Sequence, residues 1–424
     1  MKIYIEGYGC AAQQSDVEIM KGLIVKSGLE IVRGPKYADI IIISTCSVKN
    51  TTEQKILYRI SELQKIKKKI IITGCLVDAN YKKIKEYFPD ASLVSTHRIT
   101  EIHKVIKKLE KENKVELIGR KNIPKLCLPR IRENPVIATV QISEGCEGYC
   151  TYCSTKLAKG KLFSFPENMI LKEIENAIKS GCKEIRLTAQ DFFAYGKDIE
   201  SNYLSLLEKV IKIKGNFFVR VGMGNVNNLI PYLKETIEIF KNSEKIYKFL
   251  HIPVQSGSNK ILSAMRRKYT VEDWKKVVYE FKKEIPEITI WTDIIVGFPG
   301  ETEEDFDASY NLIKEVKPDY VNVSRFSSRP GTEASKLKQL NTEIVKERTK
   351  KISEISRKIC LENNKKWIGW EGEVLVTEKL KTFVGRNFSY KQIILPNASK
   401  KDLGKIIKVK IIDSLPSGLV GEKI

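Results

Sequence analysis

Val136-Ile-Ala-Thr-Val-Gln-Ile142, then Ser143-Glu-Gly145, then Cys146-Glu-Gly-Tyr-Cys150-Thr-Tyr-Cys153, is the stretch from which the rest of the chain is read. Six of its first seven residues are β-branched or apolar, the composition of a strand. A CxxxCxxC run follows directly. Three closely spaced thiolates suit a soft metal centre. A structural zinc site closes with four ligands, and no fourth Cys or His follows nearby. Three cysteines can hold three irons of a cubane and leave the fourth iron open. The alternative is a three-Cys zinc site completed by a remote residue.

Downstream, the strand-then-helix alternation continues. Glu184–Thr188, Phe217–Val221, Ile246–Leu250, Ile288–Thr292 and Tyr320–Ser324 are five further strand candidates with a helix-period segment in each gap. Six β/α units predict a barrel or partial barrel, two short of a complete eight-stranded one. Thr342 to about Trp367 reads as a long charged helix. Beyond it Glu373–Thr377, Thr382–Gly385, Gln392–Leu395 and Lys405–Ile412 are short strands between turn residues, which predicts a small all-β module, an open barrel of the type that binds oligonucleotides.

Upstream lies a basic connector, Lys111 to Pro135, with Pro124, Pro129 and Pro135. Before it, Lys2–Glu6, Asp39–Ser44 and Lys69–Thr73 are strand candidates separated by amphipathic segments, the pattern of a parallel sheet covered by helices. A cysteine follows each of these strands: Cys10, Cys46 and Cys75. In a parallel sheet the carboxyl ends of adjacent strands share one rim, so three cysteines far apart in sequence are expected to meet. Three unrelated buried thiols are the other reading. Of the remaining cysteines, Cys182 and Cys360 read as packing residues and Cys127 in the connector is ambiguous.

The 424-residue chain carries 74 Lys and Arg against 52 Asp and Glu, a net charge of +22, which favours a polyanionic partner. No apolar run approaches the ~18 residues a membrane span needs, and the first residues lack the apolar core of a secretion signal. These features predict a cytoplasmic protein whose nine cysteines stay reduced. They exclude a secreted disulfide scaffold, a membrane protein and a disordered chain.

CxxxCxxC with an aromatic residue, Tyr152, before its last cysteine resembles the radical S-adenosylmethionine (SAM) superfamily. That resemblance implies a [4Fe-4S] cluster on Cys146, Cys150 and Cys153, SAM on its open iron, and a partial (β/α)6 barrel. A three-Cys N-terminal domain, this core and a β module together resemble the methylthiotransferases, whose last part is a TRAM domain. The likeness extends to Leu250-His251-Ile-Pro253-Val-Gln255-Ser-Gly257-Ser258, Met265–Thr270, Thr292-Asp293 through Gly297-Phe-Pro-Gly-Glu-Thr302, and Ser328-Arg-Pro-Gly-Thr332. It implies an α/β multidomain chain: an N-terminal methylthiotransferase domain (1–110), a linker (111–134), a radical SAM core (135–360) and an OB-like TRAM domain (361–424). It further implies a second [4Fe-4S] cluster on Cys10, Cys46 and Cys75 that handles the sulfur. SAM contacts are expected from Tyr152, Gln190, Gln255 and Asp293.

The sequence departs from the family at Lys159-Gly160, where Arg-Gly is common, and at Ser164-Phe165, where Ser-Arg is common. Ala189-Gln190 replaces Gly-Gln, and Ala11-Ala-Gln-Gln14 lacks the Asn often found after the first cysteine. Glu6 to Met20 and Arg220-Val-Gly-Met223 look most like the archaeal and eukaryotic branch that converts N6-threonylcarbamoyladenosine at position 37 of tRNA to its 2-methylthio form. Sister branches act on isopentenyladenosine in tRNA or on an aspartate of a ribosomal protein; the charge favours RNA. The partners implied are tRNA, an electron donor and a sulfur source, with no membrane and no DNA. A zinc-containing RNA-binding adaptor is the reading from another class.

Overall fold

A computed structural model describes residues 1–48 and 50–424. The chain divides into two units. The first comprises Met1–Glu133, Thr139–Glu173 and Arg329–Ser335; the second comprises Asn134–Ala138, Ile174–Ser328 and Lys336–Ile424.

In the first unit six strands, β1 (Lys2–Gly7), β2 (Glu30–Ile31), β3 (Ile40–Thr45), β4 (Lys69–Gly74), β5 (Ser92–Val94) and β6 (Glu116–Leu117), form one sheet in the order β2-β1-β3-β4-β5-β6. Every pairing is parallel. The run Ile40-Ile-Ile-Ile43 is buried throughout because a central parallel strand is covered on both faces. Its period of two divides those residues between the faces. Ile40 and Ile42 join Ile3, Ile5 and Ile71 under one helical layer, and Ile41 and Ile43 join Ile70, Ile72 and Leu93 under the other. Three of the six strands escape sequence reading. β2 and β6 have two residues each and β5 has three, too short for any periodicity to register. β6 lies inside the stretch read as connector.

The CxxxCxxC stretch belongs to this unit. It follows β7 (Ile137–Gln141) and is closed at its base by β8 (Ser143–Glu144) pairing antiparallel with β9 (Phe163–Ser164).

The second unit holds two three-stranded sheets. One has the order β11-β10-β7, with β10 at Glu184–Thr188 and β11 at Phe218–Arg220. The other has the order β12-β13-β14, at Phe249–His251, Thr289–Val296 and Tyr320–Arg325. A parallel bridge between Val219 and Ile246 joins them, so six strands follow one another in chain order as a partial barrel. All six strands expected from the sequence are present. Alternation sets the two sides: Val219, Leu250 and Ile290 are buried against helices, while Arg220, Phe249, His251, Trp291 and Asp293 lie on the inner face.

The Gly297–Thr302 turn has a structural task. The Glu301 carboxylate accepts from the Gly297 amide at 2.9 Å and from Arg348 of the long helix Thr342–Lys365 at 2.8 Å. Thr302 caps the helix Glu303–Val316 in a reciprocal box with Asp305.

The C-terminal module corrects one expectation. Its strands β15 (Glu371–Lys379), β16 (Phe383–Arg386), β17 (Gln392–Leu395), β18 (Ile406–Leu415) and β19 (Gly418–Lys423) form a closed barrel, not an open one. Closure comes from β19, which pairs antiparallel with β18 and parallel with β17. β19 lies beyond the four strands expected from sequence: Pro416 precedes it, and a strand with two glycines carries little β signal. The loop before β17 anchors the barrel at the amino ends of the β/α strands. The Phe388 carbonyl accepts from the Lys248 amide, Ser389 donates to the Glu287 carbonyl, and Lys391 pairs with Asp319 at 2.6 Å.

Candidate functional site

Three expected cysteines follow three neighbouring strands. Cys46 and Cys75 come directly after β3 and β4, and Cys10 comes shortly after β1. The strand order reverses between β1 and β3, the switch point at which open parallel sheets bind ligands beyond their carboxyl ends. Cys10 is exposed; Cys46 and Cys75 are buried. Burial pushes the Cys46 thiol up and the Cys75 thiol up to about 12, and the neighbouring cysteines add to both effects, which places the three within each other's field. The room around them depends on glycine. Gly74 has φ +94°, and a Cβ there would stand 2.4 Å from the Thr45 carbonyl oxygen and 2.9 Å from Gln13 Nε2. Gln13 bonds to Ser44 and lies 3.8 Å from Cys75 Sγ, so the helix after Cys10 is fastened to the same rim.

In the second set, a Cβ at Gly148 would lie 3.3 Å from Cys146 Sγ and 3.8 Å from Cys150 Sγ, so both sulfurs face the bare glycine. The Gly148 amide donates to Cys146 Sγ at 3.2 Å, a contact that favours a thiolate there. Cys153 occupies the position just before the short helix Ser154–Lys159, without a side-chain capping hydrogen bond. Burial, then the neighbouring Cys150, pushes the Cys153 thiol up. Among the described residues no three His, Cys, Asp or Glu groups surround a single point as a one-ion cage does. Two sets of three soft donors around glycine-lined space nonetheless fit the donor chemistry of open cubane clusters.

Sequence reading missed a buried ion lattice within the first unit. Lys125 is 1% exposed and donates to Asp16 at 3.0 Å, Glu144 at 2.6 Å and the Thr96 carbonyl at 2.8 Å. Lys159 donates to Glu144 at 2.8 Å and to Thr96 Oγ1 at 2.9 Å. Gln141 holds the other Asp16 oxygen, and His97 Nδ1 lies 3.4 Å from Glu144. Burial opposes every one of these charges, yet Lys125 and Lys159 hold the Glu144 carboxyl well below its usual range, and Glu144 and Asp16 hold the Lys159 ammonium well above its own. Lys159 is thus committed to buried partners. The lattice joins the helix after Cys10 to Glu144 and Lys159 on either side of the CxxxCxxC loop. Two further clamps reach the Cys46 loop: Ser154 donates to the Ser47 carbonyl, and Arg329 binds Glu53 at 2.6 Å and the Val48 carbonyl at 3.0 Å. That gives the Ser328–Thr332 stretch a structural task.

Among the expected SAM contacts, Tyr152 is half-buried in the cysteine loop of the first unit. The other three belong to the second unit. Gln190 follows β10 and is half-buried. Gln255 and Asp293 are brought together: the Gln255 amide donates to the Asp293 carbonyl at 2.8 Å. Gln255 has φ +74°, costly for a residue with a side chain, and its buried Oε1 finds no hydrogen-bond partner among the described residues. Asp293 is already engaged. One oxygen lies 2.7 Å from His251 Nε2 and the other accepts from Asn322 at 2.6 Å, so it orients His251.

Residues 140–313 match the Radical SAM superfamily, and residues 2–96 match the Uncharacterized protein family UPF0004. The radical SAM methyltransferase TsrM from Kitasatospora setae superposes with a TM-score of 0.58 at 13% identity, covering 79% of this chain and 75% of that one, a likeness of fold. The probable threonylcarbamoyladenosine tRNA methylthiotransferase of Pyrococcus horikoshii is 43% identical over the whole of both chains. The human threonylcarbamoyladenosine tRNA methylthiotransferase is 36% identical over all of this chain and 74% of its own. With likeness on that scale running through both cysteine sets and the closed β-barrel, the chain belongs to the threonylcarbamoyladenosine tRNA methylthiotransferase family.

Proposed function

We propose that this chain transfers a methylthio group to C2 of N6-threonylcarbamoyladenosine at position 37 of tRNA. The observation that carries the reading is the pair of three-cysteine sets, in a chain alike over its full length to relatives bearing that name. Cys146, Cys150 and Cys153 are assigned as ligands of the radical SAM [4Fe-4S] cluster, and Cys10, Cys46 and Cys75 as ligands of a second. When bound, SAM and the two clusters supply the electron, the hydrogen-abstracting 5′-deoxyadenosyl radical, the sulfur and the methyl group. The residues of the chain do the positioning. The Gly148 amide steadies the Cys146 sulfur, Asp293 orients His251 on the barrel's inner face, and Gln255 brings to the same strands an amide oxygen that has no partner among the described residues. Gln190 and Tyr152 complete the assigned SAM contacts.

The +22 charge supports a tRNA partner, and the chemistry requires an electron donor and a sulfur source. No described helix is long and apolar enough to cross a membrane. We place the site of action in the cytoplasm, where tRNA is found. The boundaries 1–110, 111–134, 135–360 and 361–424 remain our assignment of the family's domains. Nucleoside mass spectrometry of tRNA before and after removal of the protein tests the substrate. Persistence of 2-methylthio-N6-threonylcarbamoyladenosine in a cell without a paralogue refutes it.

A further inference from the structure

Arg220 ends β11 on the inner face of the partial barrel, level with Arg186 of β10. Its two arginine neighbours have partners. Arg186 donates to Glu184 at 2.6 Å, and the other Glu184 oxygen takes the Tyr247 hydroxyl at 3.1 Å. Arg386 stacks on Tyr390, its guanidinium carbon 4.7 Å from the ring centre, and donates to Gln392 at 3.3 Å. The Arg220 guanidinium alone of the three makes no hydrogen bond and no ion pair among the described residues; it lies over the Phe249 ring at 4.9 Å. A guanidinium keeps its charge at any working pH. Half-buried beside two like charges and only partly offset by Glu184, it is a cation without an ion-pair partner among the described residues, and its nitrogens stay open to an incoming anion. Stacking occupies the face of the guanidinium and leaves the N–H edge free, the edge that grips a planar carboxylate through two parallel bonds.

We propose that Arg220 receives the carboxylate of the threonyl group on N6 of the substrate adenosine, and that it is the residue by which this chain tells a threonylcarbamoyl group from an apolar isopentenyl one. This rests on the substrate reading above. The acidic substituent supplies the ion-pair partner, and the apolar one covers the half-buried charge without pairing it. The carboxylate of SAM and an RNA phosphate share this chemistry, and the test separates them.

Iron–sulfur-reconstituted protein is titrated anaerobically with two anticodon stem-loop RNAs. One carries threonylcarbamoyladenosine; in the other its carboxylate is converted to the neutral amide. Wild type is expected to bind the acid roughly tenfold to a hundredfold more tightly than the amide. Arg220→Met binds both at the amide level with unchanged SAM affinity, and Arg220→Lys recovers part of the preference. Equal binding of acid and amide by wild type overturns the proposal and needs no variant. So does an Arg220→Met protein that loses both RNAs alike, which points to phosphate, or that loses SAM. Nucleoside mass spectrometry with wild type keeps the substrate reading separate: 2-methylthio product formed without any carboxylate preference refutes the Arg220 role alone.

Discussion

Replacing Lys125 with methionine tests the buried lattice. The substitution keeps the length and apolar stem of the side chain and removes three contacts of 2.6, 2.8 and 3.0 Å. Asp16 and Glu144, each no more than 2% exposed, are then left with one ammonium between them, that of Lys159. Breaking a buried pair by removing one partner costs about 3–5 kcal/mol, because the remaining charge cannot reach water. At ~1.4 kcal/mol per factor of ten, protected amides around the lattice should exchange roughly 10² to 10³·⁵ times faster. Hydrogen–deuterium exchange read on peptides covering residues 11–26, 92–103 and 139–160 measures this directly. Adding Asp16→Asn should recover part of the loss, since one carboxylate then faces one ammonium. Lys65→Met at the exposed Lys65–Glu62 pair should leave exchange unchanged. An acceleration below about tenfold in Lys125→Met would show that the lattice is not a stabilising tie.

Cys10→Ala, Cys46→Ala or Cys75→Ala should each keep 5′-deoxyadenosine formation and stop sulfur insertion; normal methylthiolated product from any of them overturns the second cluster assignment. Gly74→Ala forces a Cβ to 2.4 Å from the Thr45 carbonyl oxygen at φ +94°, so iron and sulfide analysis should find one cluster instead of two. Lys391→Met leaves Asp319, itself mostly buried, without its 2.6 Å partner, and should weaken the anchorage of the β-barrel by about 2–4 kcal/mol in denaturant unfolding. The hydrogen bond from Tyr81, aided by Lys114 and Lys85, holds the Glu116 carboxyl at about 2, below its unfolded value. A depressed acid stabilises above its unfolded pKa and loses that contribution as pH falls toward the folded one. Glu116→Gln should therefore be less stable than wild type near pH 6 and converge with it near pH 2; a gap independent of pH refutes the pairing.

Sequence by itself determined the elements whose signal is local. The isoleucine run of β3, the six β/α strands and the spacing Cys146-x3-Cys150-x2-Cys153 are legible because strand periodicity and ligand spacing are written in consecutive residues. The rim formed by Cys10, Cys46 and Cys75 was legible for a related reason: in a parallel sheet the position after a strand is a position in space. Tertiary structure decided what depends on partners. β2, β5 and β6 are strands only because a neighbour supplies their hydrogen bonds, and β19 closes the barrel only because β17 and β18 present free edges to it. Lys125 reads as one more basic connector residue, and Lys159 as a conservative replacement in a motif, until burial brings both to Asp16 and Glu144. Arg220 reads as a branch marker in sequence; as a cation without an ion-pair partner among the described residues it exists only in the folded barrel. A charge in a sequence has a sign, but whether it is paired, and what that costs, is fixed by the groups that folding places around it.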